Sequence, residues 1–400
     1  MALKGATIIQ VIPDLGAGGA ERTTIEVAEA LVAAGARAIV ASAGGRMEDD
    51  LKAVGGELAR RKSLPSKVPI TIHRNADWLA KLVKQENAQI LHARSRAPAW
   101  AALWASKRSD AHFVTTYHGA YNAKSSFKRW YNSVMARGEK VIANSEFIAA
   151  HIKSTYPAYA DKIITIPRGV DLEIFAPEKV DRSRIEALKE EWFGGEKPTG
   201  RLVVLPGRLT RWKGQLAAVH AAARVKQTTQ DWHLVFVGDP QGRDDYVSEL
   251  KTAISDNALD NHITLAPHCS DMAAAYKLAD IVLAPSQDPE AFGRVAAEAG
   301  AMETPVIVSD HGGQREVVIQ GETGVRTPPG NVDALAVAML DLIQAHPDRL
   351  AAIGAGVIAL KAHGDLEPTN GGDLPTRIFL AYRRGSGPLI PLAIRKTDRG

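Results

Sequence analysis

The sequence predicts two α/β domains in tandem, each a parallel sheet covered by helices on both faces. Three observations predict it. Short continuous apolar runs recur in two series, amphipathic stretches of helical period alternate with them, and the polar segment EKVDRSRIEALKEEWFGGEKPTG separates the series. β-branched runs without in–out alternation belong to strands buried on both faces, which helices must then cover. At 400 residues and 45% apolar composition, the chain is long enough for two such cores.

Each element has its reason in turn. ATIIQVIP is a short apolar run stopped by Pro13 and Asp14, which reads as a buried first strand rather than a signal peptide. Gly16, Gly18 and Gly19 then open the amphipathic stretch ERTTIEVAEALVAAG. RAIVAS, HFVTTYH and KVIANS continue the first series. RLVVLPGR, HLVFVGD, ITLAP, IVLAPS and PVIVSD form the second, with QLAAVHAAARVK and DALAVAMLDLIQAH as its helices. The reading places a Rossmann-like domain over 1–177, a linker over 178–198 and a second Rossmann-like domain over 199–363. Such sheets bind ligands beyond their strands' carboxyl ends, so two in tandem are expected to face a central cleft. The remaining segment, 364–400, breaks the pattern. Pro368, Gly371, Gly372, Pro375, Gly385, Gly387, Pro388 and Pro391 leave room for only a short helix around Thr376–Arg384, so a largely irregular tail is expected.

Composition narrows the classes. A single cysteine, Cys269, excludes an intramolecular disulfide and fits a reducing compartment. No apolar stretch reaches the ~18 residues of a membrane span. Residues 1–180 carry 25 Lys and Arg against 17 Asp and Glu, and the rest carries 24 against 28. A basic first half beside an acidic second half suggests domains with different partners. The 12 histidines are dispersed without metal-ligand spacing, and no G-x-S-x-G elbow starts a hydrolase triad.

The stretch PEAFGRVAAEAGAMETPVIVSDHGGQREVV carries the most chemistry. IVLAPS, the loop QDPEA, the helix FGRVAAEAGAM and PVIVSD make one βαβ unit. Gly293 stands where that helix begins, so free N–H groups and the helix dipole can face an anion such as a diphosphate. Glu290 lies in the loop over that end, and Glu298 about two turns into the helix. Either glutamate alone reads most simply as solvent-facing. Arg208 and Lys213, five apart beyond RLVVLP, are two cations able to grip a diphosphate. The loop Gly16-Ala17-Gly18-Gly19 fits a dinucleotide fingerprint poorly: Glu21 stands where its last small residue belongs, and RAIVASAGG supplies no acidic residue. His118 ends a strand at the carboxyl edge, where a lone histidine is ordinarily structural. Tyr117 and Asn122, in TTYHGAYN, are candidate acceptor contacts.

In order along the chain, LGAGGAER, TYHG, ANSEF, IPRGVDLEIF, GRLTRWKGQ and the E-x7-E pair of Glu290 and Glu298, then HGGQREVV and GETGV, resemble the motifs of family 4 retaining glycosyltransferases of the GT-B fold. The resemblance spans about residues 6–345. It implies a nucleotide diphosphate-sugar donor and a glycan or lipid-linked acceptor. It implies no cofactor and no metal. Glu290 would meet the sugar hydroxyls, Glu298 the ribose, and the backbone N–H groups of Phe292, Gly293 and Arg294 the phosphates, with Val295 in the same donor-binding stretch. His118 would meet the transferred sugar, and Gly16, Gly18 and Gly19 would approach the donor phosphate and acceptor. It further suggests a bacterial envelope polysaccharide or lipopolysaccharide pathway. The rivals are a nucleotide-sugar epimerase on the same architecture and a non-catalytic nucleotide-sugar binder.

Two stretches of the basic half mix aromatic and cationic residues. One sets Trp100 and Trp104 beside Lys107 and Arg108; the other sets Lys124, Lys128, Arg129 and Arg137 around Phe127, Trp130, Tyr131 and Val134. They read either as core aromatics under a solvated basic face or as a surface for anionic lipid head groups. No nucleic-acid motif accompanies the charge. The expected location is cytoplasmic, or peripheral on the inner face of the cytoplasmic membrane.

Overall fold

A computed structural model describes residues 3–16 and 18–361. The irregular tail expected over 364–400 lies outside the described residues. The chain divides between Arg168 and Gly169 into two units.

The first unit is built on β1 (Thr7–Val11), β2 (Arg37–Ser42), β3 (Glu57–Arg60), β4 (Ile90–Ala93), β5 (His112–Tyr117), β6 (Lys140–Ala143) and β7 (Ile163–Thr165). They form one sheet in the order β3-β2-β1-β4-β5-β6-β7, with every pairing parallel. Ile8, Ile9 and Val11 are fully buried, as expected of a strand covered on both faces.

The second unit carries β8 (Arg201–Pro206), β9 (Trp232–Val237), β10 (Ile263–Ala266), β11 (Ile281–Ala284), β12 (Val306–Ser309) and β13 (Gly324–Thr327). Its parallel order is β10-β9-β8-β11-β12-β13. In each sheet the strand order reverses once, between β1 and β4 and between β8 and β11. Those are the points where an open α/β sheet leaves a crevice for ligand at the strands' carboxyl ends.

Residues 178–198, read from sequence as a linker, contain the helix Arg182–Phe193. Asp181 caps it, accepting from Arg184 N at 3.0 Å. Leu188 and Trp192 pack into a core cluster with Leu202, Val204 and Val235, so the segment belongs physically to the second unit. Arg184 adds a two-pronged contact to Asp271, at 2.6 and 2.7 Å. Among the described residues, no helix is long and apolar enough to cross a membrane.

Candidate functional site

The β8/β11 switch point of the second unit joins two of the residues singled out from sequence, Lys213 and Glu290. After β8 the chain runs through Gly207 and Arg208 into the short 3-10 turn Arg211–Lys213 and then the helix Gln215–Lys226. Gly214 joins turn to helix at φ +81°, and a Cβ there would fall 2.1 Å from the Pro285 carbonyl oxygen. Only glycine lets the two loops approach so closely. Gln287 N donates to the Trp212 carbonyl at 2.6 Å, tying the loop after β11 to the loop after β8.

Across that junction Lys213 Nζ donates to Glu290 Oε1 at 2.7 Å, with both side chains largely buried at 14% and 11% exposure. Ser286 Oγ donates to the same oxygen at 2.6 Å. Burial pushes the Glu290 pKa up, but Lys213, Ser286 and the nearby His311 outweigh it and hold the carboxyl below its usual value. His311 is fixed by Nε2 donating to the Ser286 carbonyl at 2.9 Å. Gly313 N donates to the Glu290 carbonyl at 2.8 Å. Arg208 stands apart. Its side chain is exposed, while its carbonyl accepts from Gln215 Nε2 at 3.0 Å.

Gly293 caps the helix Arg294–Ala301 at φ +101°. The helix therefore begins two residues later than the sequence suggested, and Glu298 is its fifth residue, little more than one turn in rather than two. Phe292 packs its ring into the core, so only its backbone can meet a ligand. Glu298 is held by two protein partners: Tyr276 Oη donates to Oε2 at 3.0 Å, and Arg294 Nε donates to Oε1 at 3.0 Å. Burial and the adjacent carboxylate keep the Tyr276 hydroxyl protonated, which fixes it as the donor.

In the first unit, Gly18 and Gly19 begin the helix Gly19–Ala33 beyond β1, and Gly16 N donates to Asp14 Oδ1 at 3.1 Å. His118 follows β5. Arg168 donates to its Nδ1, which puts the imidazole proton on Nε2, and that nitrogen is buried without a hydrogen-bond partner. Burial, with the charges of Arg94 and Arg168, holds the His118 pKa well below its ordinary value, so the ring is neutral. Tyr117, taken as an acceptor contact, is fully buried, with its ring against Tyr121 and His151. Asn122 is exposed and spends its Oδ1 on the Lys124 backbone N–H, at 3.0 Å, as a turn former. Among the described residues, no cluster of three His, Cys, Asp or Glu side chains is placed to hold a metal.

Two family models match the chain: Glycosyltransferase Family 4 over residues 17–174 and Glycosyl transferases group 1 over 188–356. A glycosyltransferase of known structure from Rickettsia africae is 33% identical, covering 96% of this chain and 99% of that one at a TM-score of 0.79. The chain belongs to the family 4 glycosyltransferases. Its fold is GT-B.

Among curated members of the family, the D-inositol 3-phosphate glycosyltransferase of Segniliparus rotundus is 29% identical over 65% of this chain and 56% of its own length. That of Arthrobacter sp. is 35% identical over 46% and 43%. The chain spans about half the length of the curated relatives it matches. Anabaena HepE, solved with UDP-glucose, is 22% identical with a TM-score of 0.78 and is a likeness of fold. Within this glycosyltransferase frame, sequence reasoning missed Ser286, His311, Tyr276 and Arg168 as partners of the chosen residues. Arg294 was legible as a partner of Glu298 from its i,i+4 spacing. Tyr276 left no such signal.

Proposed function

We propose that this protein transfers a glycosyl group from a nucleotide diphosphate-sugar to a hydroxyl of a glycan or lipid-linked acceptor, with retention of anomeric configuration. One observation carries the reading: the ionised Glu290 held by Lys213 and Ser286 at the β8/β11 switch point, beside the Gly293 helix start. Lys213 and the exposed Arg208 supply positive charge for a diphosphate leaving group, and the helix start supplies N–H donors. Glu290 accepts hydrogen bonds from hydroxyls of the sugar, and Glu298, oriented by Tyr276 and Arg294, from those of the ribose. The neutral His118 donates from Nε2 to the transferred sugar. Gly16, Gly18 and Gly19 keep side chains out of the path of the donor phosphate and acceptor. The bond between the anomeric carbon and the phosphate oxygen breaks, and the acceptor oxygen bonds to that carbon on the same face. The acceptor's proton passes to the departing phosphate. On this reading no metal takes part.

The test is turnover of labelled nucleotide sugars, UDP-glucose first, with and without an acceptor panel. The panel includes inositol 3-phosphate, because the curated relatives are named for it. An acceptor-dependent product of retained configuration, read by NMR, supports the proposal. Acceptor-independent isomerisation supports an epimerase, and tight binding without turnover supports a binding protein.

One further observation supports a membrane-linked envelope glycan as the acceptor. Phe127 and Trp130 are 71% and 52% exposed, beside the exposed Lys124, Lys128 and Arg129. Trp100, in contrast, is buried, and its Nε1 donates to the Tyr131 carbonyl at 3.0 Å. The first stretch is thus partly core, and the second presents aromatic rings among cations. That combination suits an anionic bilayer surface, as on the inner face of a cytoplasmic membrane. Co-sedimentation with phosphatidylglycerol vesicles should fall with salt and with Phe127→Ser/Trp130→Ser; no binding at low salt would leave the patch without a lipid role.

A further inference from the structure

We propose that Asn144 binds hydroxyl groups of the transferred sugar, beside His118. The register of the first sheet sets its place. Tyr117 pairs with Ala143 at the ends of β5 and β6, so His118 and Asn144 are the next residues off the same carboxyl edge. Asn144 is 2% exposed, yet neither Oδ1 nor Nδ2 has a hydrogen-bond partner among the described residues. Native interiors pair nearly all such atoms, and a carboxamide with both ends unpaired opposes folding.

The usual local tasks of an asparagine between strand and helix are filled by other groups. Ser145 caps the helix Glu146–Thr155, accepting from Ile148 N at 3.0 Å. The preceding carbonyl, that of Ala143, accepts from Ile166 N at 2.8 Å. The amide is therefore neither a helix cap nor a bridge within the sheet. Its neighbour His118 is in the same state, with Nε2 buried and unpartnered. Two neutral groups with unspent hydrogen bonds thus follow paired strand ends at one carboxyl sheet edge.

The chemistry selects the ligand class. A carboxamide presents one acceptor and two donor hydrogens in a plane, which suits neighbouring hydroxyls that each donate and accept. It has no charge with which to attract a diphosphate, so its ligand is the sugar rather than the phosphates. Both atoms are closed to water, so side chains at the strand ends must shift for a sugar to reach them. The assignment rests on the nucleotide-sugar reading above, and it goes further by naming a sugar-specific contact.

The test compares UDP-glucose and UDP binding by calorimetry, in wild type and in Asn144→Leu and Asn144→Asp. If UDP-glucose does not bind the wild type, other nucleotide sugars and their diphosphates replace the pair. Asn144→Leu should weaken nucleotide-sugar binding at least fivefold and leave the nucleotide diphosphate within twofold. Asn144→Asp, which keeps an acceptor, should lose less. The melting temperature of Asn144→Leu should be unchanged or higher, because no native hydrogen bond is removed. Unchanged binding of both ligands would overturn the proposal, as would equal loss of both or a melting point lowered by several degrees. A wild type that binds the sugar nucleotide without turning it over would refute transfer while leaving Asn144 decided by binding. No binding of any nucleotide sugar would overturn both.

Discussion

At Arg208 and Lys213 the same charge has two different settings, and their variants should separate accordingly. Arg208 is exposed, so Arg208→Ala should leave thermal stability within about 0.5 kcal/mol while weakening nucleotide diphosphate binding. Lys213→Ala should cost binding and fold together. It strands the Glu290 carboxylate in a site where that group is 11% exposed, and breaking a buried pair costs about 3–5 kcal/mol. Paired denaturant melts and nucleotide titrations check both, and equal melts for the two variants would contradict the assignment. The Glu290 pair also predicts a pH dependence. Its carboxyl is depressed in the fold, so its contribution is complete above the ordinary carboxylate value and disappears as pH falls through the lower folded value. The stability difference between wild type and Glu290→Gln should therefore be largest near neutrality and shrink on acidification. Tyr276→Phe removes one of the two bonds orienting Glu298 and should raise donor KM with little change in kcat. Steady-state kinetics decide it.

Two glycines that begin helices show how an element can be fixed by what stands against it. Gly214 and Gly293 both have positive φ, so alanine at either costs about 1–2 kcal/mol in backbone strain. Their surroundings differ. A Cβ at Gly293 would press on the Gln314 side chain at 2.8 Å, whereas at Gly214 it would strike the Pro285 backbone oxygen at 2.1 Å. Gly214→Ala should therefore be the more destabilising, by about a further 1–3 kcal/mol for overpacking, as chemical denaturation would show. The element scale also marks where the sequence was hard to read. The run FGRVAAEAGAM marks the helix Arg294–Ala301, but its first two residues stand outside it, because Phe292 is a core anchor and Gly293 the cap. Among the strands, β3, β7 and β13 sit at or near sheet edges with partly exposed faces, and their short runs ELAR, IIT and GVRT carry little periodic signal.

For the whole molecule, ligand linkage gives a direct measurement. A nucleotide diphosphate that binds at the second unit should stabilise the chain by about 2.7 kcal/mol at a hundred times its Kd, and the gain should persist in EDTA. A shift that appears only with added Mg²⁺ or Mn²⁺ would mean that a metal, rather than Arg208 and Lys213, holds the phosphates. By itself the sequence determined the two α/β units and the candidate loops that follow β1, β5, β8 and β11. Those features depend on apolar runs, helical periods and glycine turns that lie within a few residues of one another. Only the tertiary structure decided which loops meet. The order β10-β9-β8-β11-β12-β13 sets β8 beside β11 and so joins Lys213 to Glu290. Tyr276 reaches Glu298, Arg168 reaches His118, and His118 and Asn144 follow paired strand ends for the same reason. Strand order is fixed by packing summed over a whole sheet, and no local pattern encodes it.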